Sequence, residues 1–333
     1  MAHIAIIGST TWGTTLAIIN SGEGKHVSLL VRTKEESDLL RKHRENKRFL
    51  PGITFPDILE VTSKPQDLIP KTDLLIIAVP SQSLRKNIRA ISSYVSASTI
   101  IVSASKGLES TSGMRMTEII KEEIPNLSAD NICALSGPNL SNEILAGKPS
   151  SSVICSINLT TAKTAQSILK CSHLRLYTNT DVIGVEICGA LKNITAIAAG
   201  ICDGLNLGDN TKASIITRGL AEMARFGSAI GAEPSTFSGL AGMGDLIATC
   251  SSRLSRNNQV GRMLAKDMPL SQIEKSMDNV AEGIETTKAV VSVANRLNID
   301  LPIAQAVYNI LFKNLSVRDA REELMGRTLT SET

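Results

Sequence analysis

The chain has 333 residues, 42% of them apolar and 20% charged, with a net charge of +3. That length suggests about two domains around a substantial core, and the composition excludes disorder. With only 3% aromatics and no run of five like charges, a nucleic-acid surface built on stacked rings is excluded, while a small anionic metabolite stays open.

The first half alternates apolar runs with helical stretches. HIAIIG (3–8), HVSLLVR (26–32), TDLLIIAVP (72–80), STIIVSASKG (98–107) and NICALSGP (131–138) read as strands of a sheet covered on both faces. Helices are expected at 12–21, 34–46, 81–93 and 112–123, and further strands at 151–157 and 174–179. This alternation predicts a doubly wound, Rossmann-type α/β domain over residues 1–181.

From 182 the texture changes. DVIGVEICGALKNITAIAAGICDGL is apolar around most of the helical wheel, as in a helix buried within a domain. Helices are expected at 212–230, 234–239, 255–266, 270–276, 285–297, 303–311 and 316–325, with stops at Gly208, Gly231, Gly283 and the Leu301-Pro302 step. The expectation is an all-α domain over 182–333.

The six cysteines (133, 155, 171, 188, 202, 250) form no C-x-x-C pair and read as buried thiols in a reducing cytosol. The four histidines (3, 26, 43, 173) show no metal-ligand spacing, and no metal is expected. A first strand at His3 argues against a signal peptide, and no run of eighteen apolar residues lacks a charge, so no membrane span is expected. A cytoplasmic location is expected.

Glycine-rich turns after a first strand hold a pyrophosphate on backbone amides and a helix N-terminus. The spacing G-x-G-x-x-G would put glycines at 8, 10 and 13, but here Gly8 and Gly13 flank Thr10. The turn is either a cofactor loop with one glycine replaced or a tight turn that binds nothing. The second strand ends LLVRTKEE, with Arg32 and Lys34 where an NAD site usually carries an acid, and acids only at 35 and 36. An Arg there suits the 2′-phosphate of NADP, so NADPH is favoured over NADH; the alternative is a solvated strand-end residue.

Three later segments place polar residues where packing alone asks for none. Lys106 follows a strand at the edge where open α/β sheets gather ligands, or is a solvated loop lysine. Lys192 and Asn193 interrupt an otherwise apolar helix. A buried lysine is a candidate for proton transfer, the alternative being one that snorkels to the surface. In GLAGMGDLIATCSSRLSRNNQVGR, glycines at 239, 242 and 244 surround Asp245, while Arg256 and Asn257 suit an anion.

WGTTLA, FLPGI, AVPS, SKGLE, SGPN, VEICGALKNITAIAAGICDGL, NTKASIITRGLAEM, GLAGMGDLIATC, SRNNQVGR and AEGIETTK occur in this order. Together they resemble the bacterial NAD(P)-dependent glycerol-3-phosphate dehydrogenases along nearly the whole chain. The resemblance implies a Rossmann domain followed by a helical domain like the C-terminal one of 6-phosphogluconate dehydrogenase. It also implies reduction of dihydroxyacetone phosphate to glycerol 3-phosphate for phospholipid synthesis, and a homodimer. Lys192 matches the catalytic lysine that protonates the ketone oxygen, and Lys106 a lysine shared by substrate and nicotinamide. Asp245 is implied to orient Lys192, with Asn193 and Thr249 in its network. Ser255, Arg256 and Asn257 would hold the phosphate, and Gly137 and Asn139 belong to a substrate loop. Gly8, Thr10, Thr11, Trp12, Gly13, Arg32, Lys106, Ser141, Arg256, Val280 and Glu282 are implied to meet the cofactor. Lys192 and Lys106 supply the electrophilic assistance a metal otherwise gives.

The departures are Thr10 and the loop SGPNLSNEI, where Asn139, Leu140 and Ser141 replace the wording S-G-P-(S/T)-F-A-x-E. They bear on cofactor affinity and preference more than on the reaction. Thr10 is expected to turn its side chain from the pyrophosphate, leaving the Thr11 and Trp12 amides to reach it. Two rivals stay open: a reductase of another small hydroxy acid, and a catalytically idle nucleotide-binding protein.

Overall fold

The computed structural model describes residues 2–277, 281–328 and 331. Its contacts divide into two compact units, one of residues up to Lys106 with Met114–Glu186, the other of Gly107–Gly113 with Ile187 onward.

The first unit is built on eight strands: β1 His3–Ile7, β2 His26–Leu30, β3 Glu60–Thr62, β4 Leu74–Ile77, β5 Ile100–Ser103, β6 Ile132–Ser136, β7 Ser150–Cys155 and β8 Leu174–Asn179. They form one sheet in the order β3-β2-β1-β4-β5-β6-β7-β8. Neighbours run parallel except β6 and β7, which pair antiparallel with Leu135 opposite Ile154. Its helices are α1 Thr11–Gly22, α2 Lys34–His43, α3 Pro65–Leu68, α4 Ser81–Ile91, α5 Met116–Glu123, α6 Ser141–Leu145 and α7 Leu159–Leu169. Side chains alternate across a strand, so Ile4, Ile6, Val27, Leu29, Leu74 and Ile76 pack into one apolar cluster and Ala5, Ile7, Leu75, Ile77 and Ile101 into another. Burial on both faces explains why these strands read as unbroken apolar runs. The topological switch lies between β1 and β4, which puts the β1–α1 turn at the crevice where such sheets bind ligands.

Four elements of this unit escape the sequence reading. The three residues of β3, four of α3 and five of α6 are too few for a period to register, and the longer α7 lies in the polar stretch LTTAKTAQSIL. At the amino ends of β1 and β2, His3 and His26 pair in register and their rings stack with centroids 4.0 Å apart. The Ser28 hydroxyl lies 2.9 Å from His3 Nε2 and donates to Glu60 on β3. Two histidines distant in sequence thus meet through strand pairing.

The remaining helices are α8 Val182–Gly204, within which the division falls, then α9 Gly208–Ala229, α10 Pro234–Phe237, α11 Asp245–Ser251, α12 Arg256–Leu264, α13 Leu270–Ser276, α14 Glu282–Leu297, α15 Pro302–Phe312 and α16 Val317–Met325. Helix α8 is long and apolar enough to cross a membrane, but it is almost wholly buried inside the protein. It is a core helix. Its contact with α12 is close because both helices carry glycine there. A Cβ on Gly200 would lie 2.1 Å from the Asn258 carbonyl oxygen, and one on Gly261 2.0 Å from that of Ile197. Asp203 of α8 ties the pair together, accepting from Asn258 (2.9 Å) and Arg262 (3.0 Å) of α12 and from Lys212 (2.9 Å). Burial pushes the Asp203 carboxyl up, but the Asn258 and Lys212 hydrogen bonds outweigh it and hold the group below its ordinary value.

Helices α9 and α14 start earlier than the expected 212 and 285, and Gly283, expected as a stop, lies in the first turn of α14. Five of the six cysteines are buried and all are free; burial pushes the Cys133 and Cys250 thiols up to about 12, which keeps them protonated.

Candidate active site

In the first unit the turn after β1 is shaped by its glycines. Gly8 has φ +110, and a Cβ on Gly13 would lie 2.0 Å from the Gly8 carbonyl oxygen, so the start of α1 can lie directly against the strand exit only with glycine there. Thr10 is the N-cap of α1. Its hydroxyl accepts from the Gly13 N–H (3.2 Å) and donates to the Ala78 carbonyl just beyond β4 (2.8 Å). The side chain at the missing glycine is therefore spent on the backbone and bridges the switch point. The helical ladder opens with Thr14 N–H on the Thr10 carbonyl, so the Thr11 and Trp12 N–H groups precede it. Trp12 Nε1 is buried without a hydrogen-bond partner. Donors ahead of a helix, a close backbone approach and an orphaned indole N–H fit the phosphates and nearby polar groups of a dinucleotide.

Asn46, buried in the segment after α2, donates to the Ser9 carbonyl (2.9 Å) and to Thr14 Oγ1 (2.8 Å), pinning this turn. The Ser9 hydroxyl donates to Glu36, which also accepts from the Arg32 N–H at 3.3 Å. Arg32 itself is exposed. Sequence reading missed Ser9, Glu36 and Asn46. Only Glu36 carried a local signal, the capping-box spacing from Thr33.

Lys106 follows β5 and donates to the Gly137 carbonyl at 2.9 Å, joining two of the expected residues. Asn139, beyond β6, accepts from the Ser152 hydroxyl at 2.5 Å, while its buried Nδ2 has no partner. Ser141 is the first residue of the short α6, which packs on α1.

In the second unit, Lys192 projects from α8 with its residue 6% exposed, so it does not reach the surface. Its ammonium donates to Asp245 Oδ1 (2.5 Å) and Thr249 Oγ1 (2.8 Å), and the Thr249 hydroxyl donates in turn to the Asp245 carbonyl (2.6 Å). The chain enters α11 through one π-turn, Leu240–Gly244, which sets Asp245 and Thr249 on the same face, four residues apart. Taking this ammonium out of water is tolerable because a carboxylate matches its charge at contact distance.

The adjoining residues form a second chain of hydrogen bonds. Asn257 donates to Asn193 Oδ1 (2.9 Å) and accepts from the Gly283 N–H (3.0 Å), linking α12 to α8 and to the start of α14. Ser255 caps α12 by accepting from the Asn258 N–H (3.3 Å). Arg256 is the first residue of that helix and exposed, with the Glu282 carboxylate as an attractive charge neighbour. Lys192, Asn193, Asp245, Thr249, Ser255, Arg256, Asn257 and Glu282 are thus gathered on four helices. Val280 lies outside the described residues. The arrangement offers a proton donor beside a carboxylate and a cation at a helix N-terminus, suited to an oxygen that gains a proton and to a phosphate.

Comparison with known proteins agrees with both units. The family model for the NAD-dependent glycerol-3-phosphate dehydrogenase N-terminus matches residues 3–162, and that for its C-terminus residues 181–322. The NAD(P)+ glycerol-3-phosphate dehydrogenase of Dehalococcoides mccartyi is 46% identical over 333 residues, covering 100% of this chain and 93% of the relative. That of Chlorobium luteolum is 44% identical over 325 residues, 98% of each chain. The crystal structure of the Coxiella burnetii enzyme superposes with a TM-score of 0.93 at 34% identity, over 98% of this chain and 99% of that one. The chain therefore belongs to the NAD-dependent glycerol-3-phosphate dehydrogenase family.

Proposed function

We infer that this chain reduces dihydroxyacetone phosphate reversibly to sn-glycerol 3-phosphate with NADH or NADPH, and that Lys192 is its acid–base group. The buried Lys192–Asp245 contact of 2.5 Å carries the reading, because an otherwise apolar helix has no structural need of an ammonium there.

A bound reduced nicotinamide supplies the hydride. Lys192 Nζ gives a proton to the ketone oxygen as the carbonyl carbon gains that hydride, so the ketone becomes a secondary alcohol and the ammonium an amine. Asp245 and Thr249 hold the ammonium in one orientation beforehand and favour its reprotonation afterwards. In the reverse direction the neutral amine takes the hydroxyl proton. Lys106 stabilises negative charge on the substrate. Arg256, Asn257 and Ser255 receive the phosphate, which carries about −1.5 to −2 charges at pH 7; the guanidinium forks onto its oxygens. Asn193 aligns Asn257. Thr11 and Trp12 amides receive the dinucleotide pyrophosphate.

The same reading takes the working form as a homodimer in the cytoplasm that supplies glycerophospholipid synthesis. The deciding experiment is spectrophotometric oxidation of NADH and of NADPH, side by side, with dihydroxyacetone phosphate. Oxidation that depends on this ketone supports the reading; none with either nucleotide overturns it. Equal turnover of unphosphorylated dihydroxyacetone would remove the phosphate roles of Arg256 and Asn257.

A further inference from the structure

We propose that Glu36 sets the nucleotide preference of this chain: its carboxylate accepts the 2′-hydroxyl of the adenosine ribose in NADH and repels the 2′-phosphate of NADPH. The proposal rests on the reading of the β1–α1 turn as a dinucleotide loop.

The sequence around Glu36 first suggests a local role. Thr33 caps α2, and its Oγ1 accepts from the Glu36 N–H at 3.2 Å, one half of a capping box. A complete box would return the Glu36 carboxylate to the Thr33 N–H. It goes elsewhere. One oxygen accepts from the hydroxyl of Ser9, 27 residues away, and the other from the Arg32 N–H at 3.3 Å. Ser9 directly follows Gly8 at the end of β1, and Arg32 stands two residues past the end of β2. The carboxylate therefore bridges the carboxyl ends of the two strands that flank a dinucleotide's adenosine half. An acid at that edge takes the ribose 2′-hydroxyl in doubly wound folds.

Capacity and charge point the same way. A carboxylate has about four lone-pair positions, Ser9 and Arg32 account for two, and Glu36 is only half-buried, so a ribose hydroxyl can be accepted as well. Ser9 is buried and its hydroxyl anchors the carboxylate, so the acid does not swing freely into solvent. A 2′-phosphate arriving there brings about −1.5 to −2 charges against this carboxylate, with Glu35 adding a further negative charge in the same helical turn. Arg32 pulls the other way, since its exposed guanidinium can pair with a phosphate. Preference is then a balance between two neighbouring side chains, and Glu36 tips it towards NADH.

Trp12 is the only tryptophan of the chain and lies in the turn itself, so binding can be read without turnover. The full chain, Glu36→Gln, Ser9→Ala and Arg32→Ala are titrated with NADH and with NADPH, following Trp12 fluorescence. Glu36→Gln is expected to tighten NADPH by at least ~10-fold, a like-charge repulsion removed, and to weaken NADH by ~3- to 10-fold. Ser9→Ala frees the carboxylate and should move both in the same direction by less, while Arg32→Ala should weaken NADPH selectively. If both nucleotides bind and Glu36→Gln and Ser9→Ala leave their ratio unchanged, the role of Glu36 is overturned while the loop stands. If neither nucleotide perturbs Trp12 or competes in calorimetry, the loop reading falls and this proposal with it.

Discussion

Lys192 Nζ and Asp245 Oδ1 lie 2.5 Å apart in a buried pair that no covalent neighbour dictates, 53 residues separating them in sequence. On the proposed reading Lys192 gives the proton and Asp245 holds the ammonium, so only the first substitution removes the proton donor, while either leaves an uncompensated buried charge. Lys192→Ala is expected to lower kcat by at least ~10²-fold, the low end for a positioned acid–base group, with an unchanged circular dichroism spectrum. Near-normal turnover would remove Lys192 from the mechanism. Asp245→Asn leaves a buried ammonium without its counter-charge and should cost about 3–5 kcal/mol of stability, measurable by denaturant unfolding.

Arg256 stands at the N-terminus of α12, exposed and next to the Asn257 network. Arg256→Ala should weaken dihydroxyacetone phosphate by about 1.5–3 kcal/mol, the range for hydrogen bonds to a charged group. The effect belongs in KM for the phosphorylated ketone. A variant that loses activity equally on unphosphorylated dihydroxyacetone would contradict it.

The position of Asn257 depends on how closely α12 approaches α8. Gly200→Ala would force a methyl into the Asn258 carbonyl, 2.1 Å from the ideal Cβ position. Overpacking of this kind costs about 1–3 kcal/mol, and parting the helices also stretches the Asn193–Asn257 bond. Both a lower Tm and a raised KM are expected; a fall in Tm alone would show that the contact is structural only.

Thr10 spends its hydroxyl on Gly13 N–H and the Ala78 carbonyl and makes no hydrogen bond to the Thr11 or Trp12 amide. Replacing an N-cap by Gly costs only a few tenths of a kcal/mol. Thr10→Gly should therefore change cofactor affinity by less than about tenfold, or ~1.4 kcal/mol. A much larger gain in titrations with NADH or NADPH would mean that the threonine obstructs the loop.

Glu222 supplies a pH test within the helical unit. Its carboxylate accepts from the Ile303 and Ala304 N–H groups at the start of α15 (2.6 and 3.1 Å). Burial outweighs these two bonds and pushes its pKa from 4.5 up to about 7. With the folded pKa raised, the folded chain holds the extra proton between these values, so stability is full below about 4.5 and declines as pH rises to about 7. The decline should be on the order of 3 kcal/mol. Glu222→Gln should flatten it; an unchanged pH profile of unfolding would assign the effect elsewhere.

Much of the fold is legible because its signals are local. Continuous apolar runs mark β1, β2, β4, β5 and β6, since strands covered on both faces have no polar side to show. The glycines at 8 and 13 mark the turn, and Lys192 stands out because nothing else on α8 is charged near it. The short β3 and the polar α7 carry no comparable pattern, and neither strand of the β6–β7 pair records that it runs antiparallel to its neighbour.

The sequence by itself determined the type of most long elements, the two-part organisation and the small set of polar residues that packing does not require. The tertiary structure alone decided their partners: Thr10 on Ala78, Glu36 on Ser9, Lys192 on Asp245, Asn257 on Asn193. Propensity and periodicity act over a few residues and survive in an isolated segment. A buried charge or amide instead finds its partner only when collapse removes water and strand order or helix packing brings distant residues to hydrogen-bond distance.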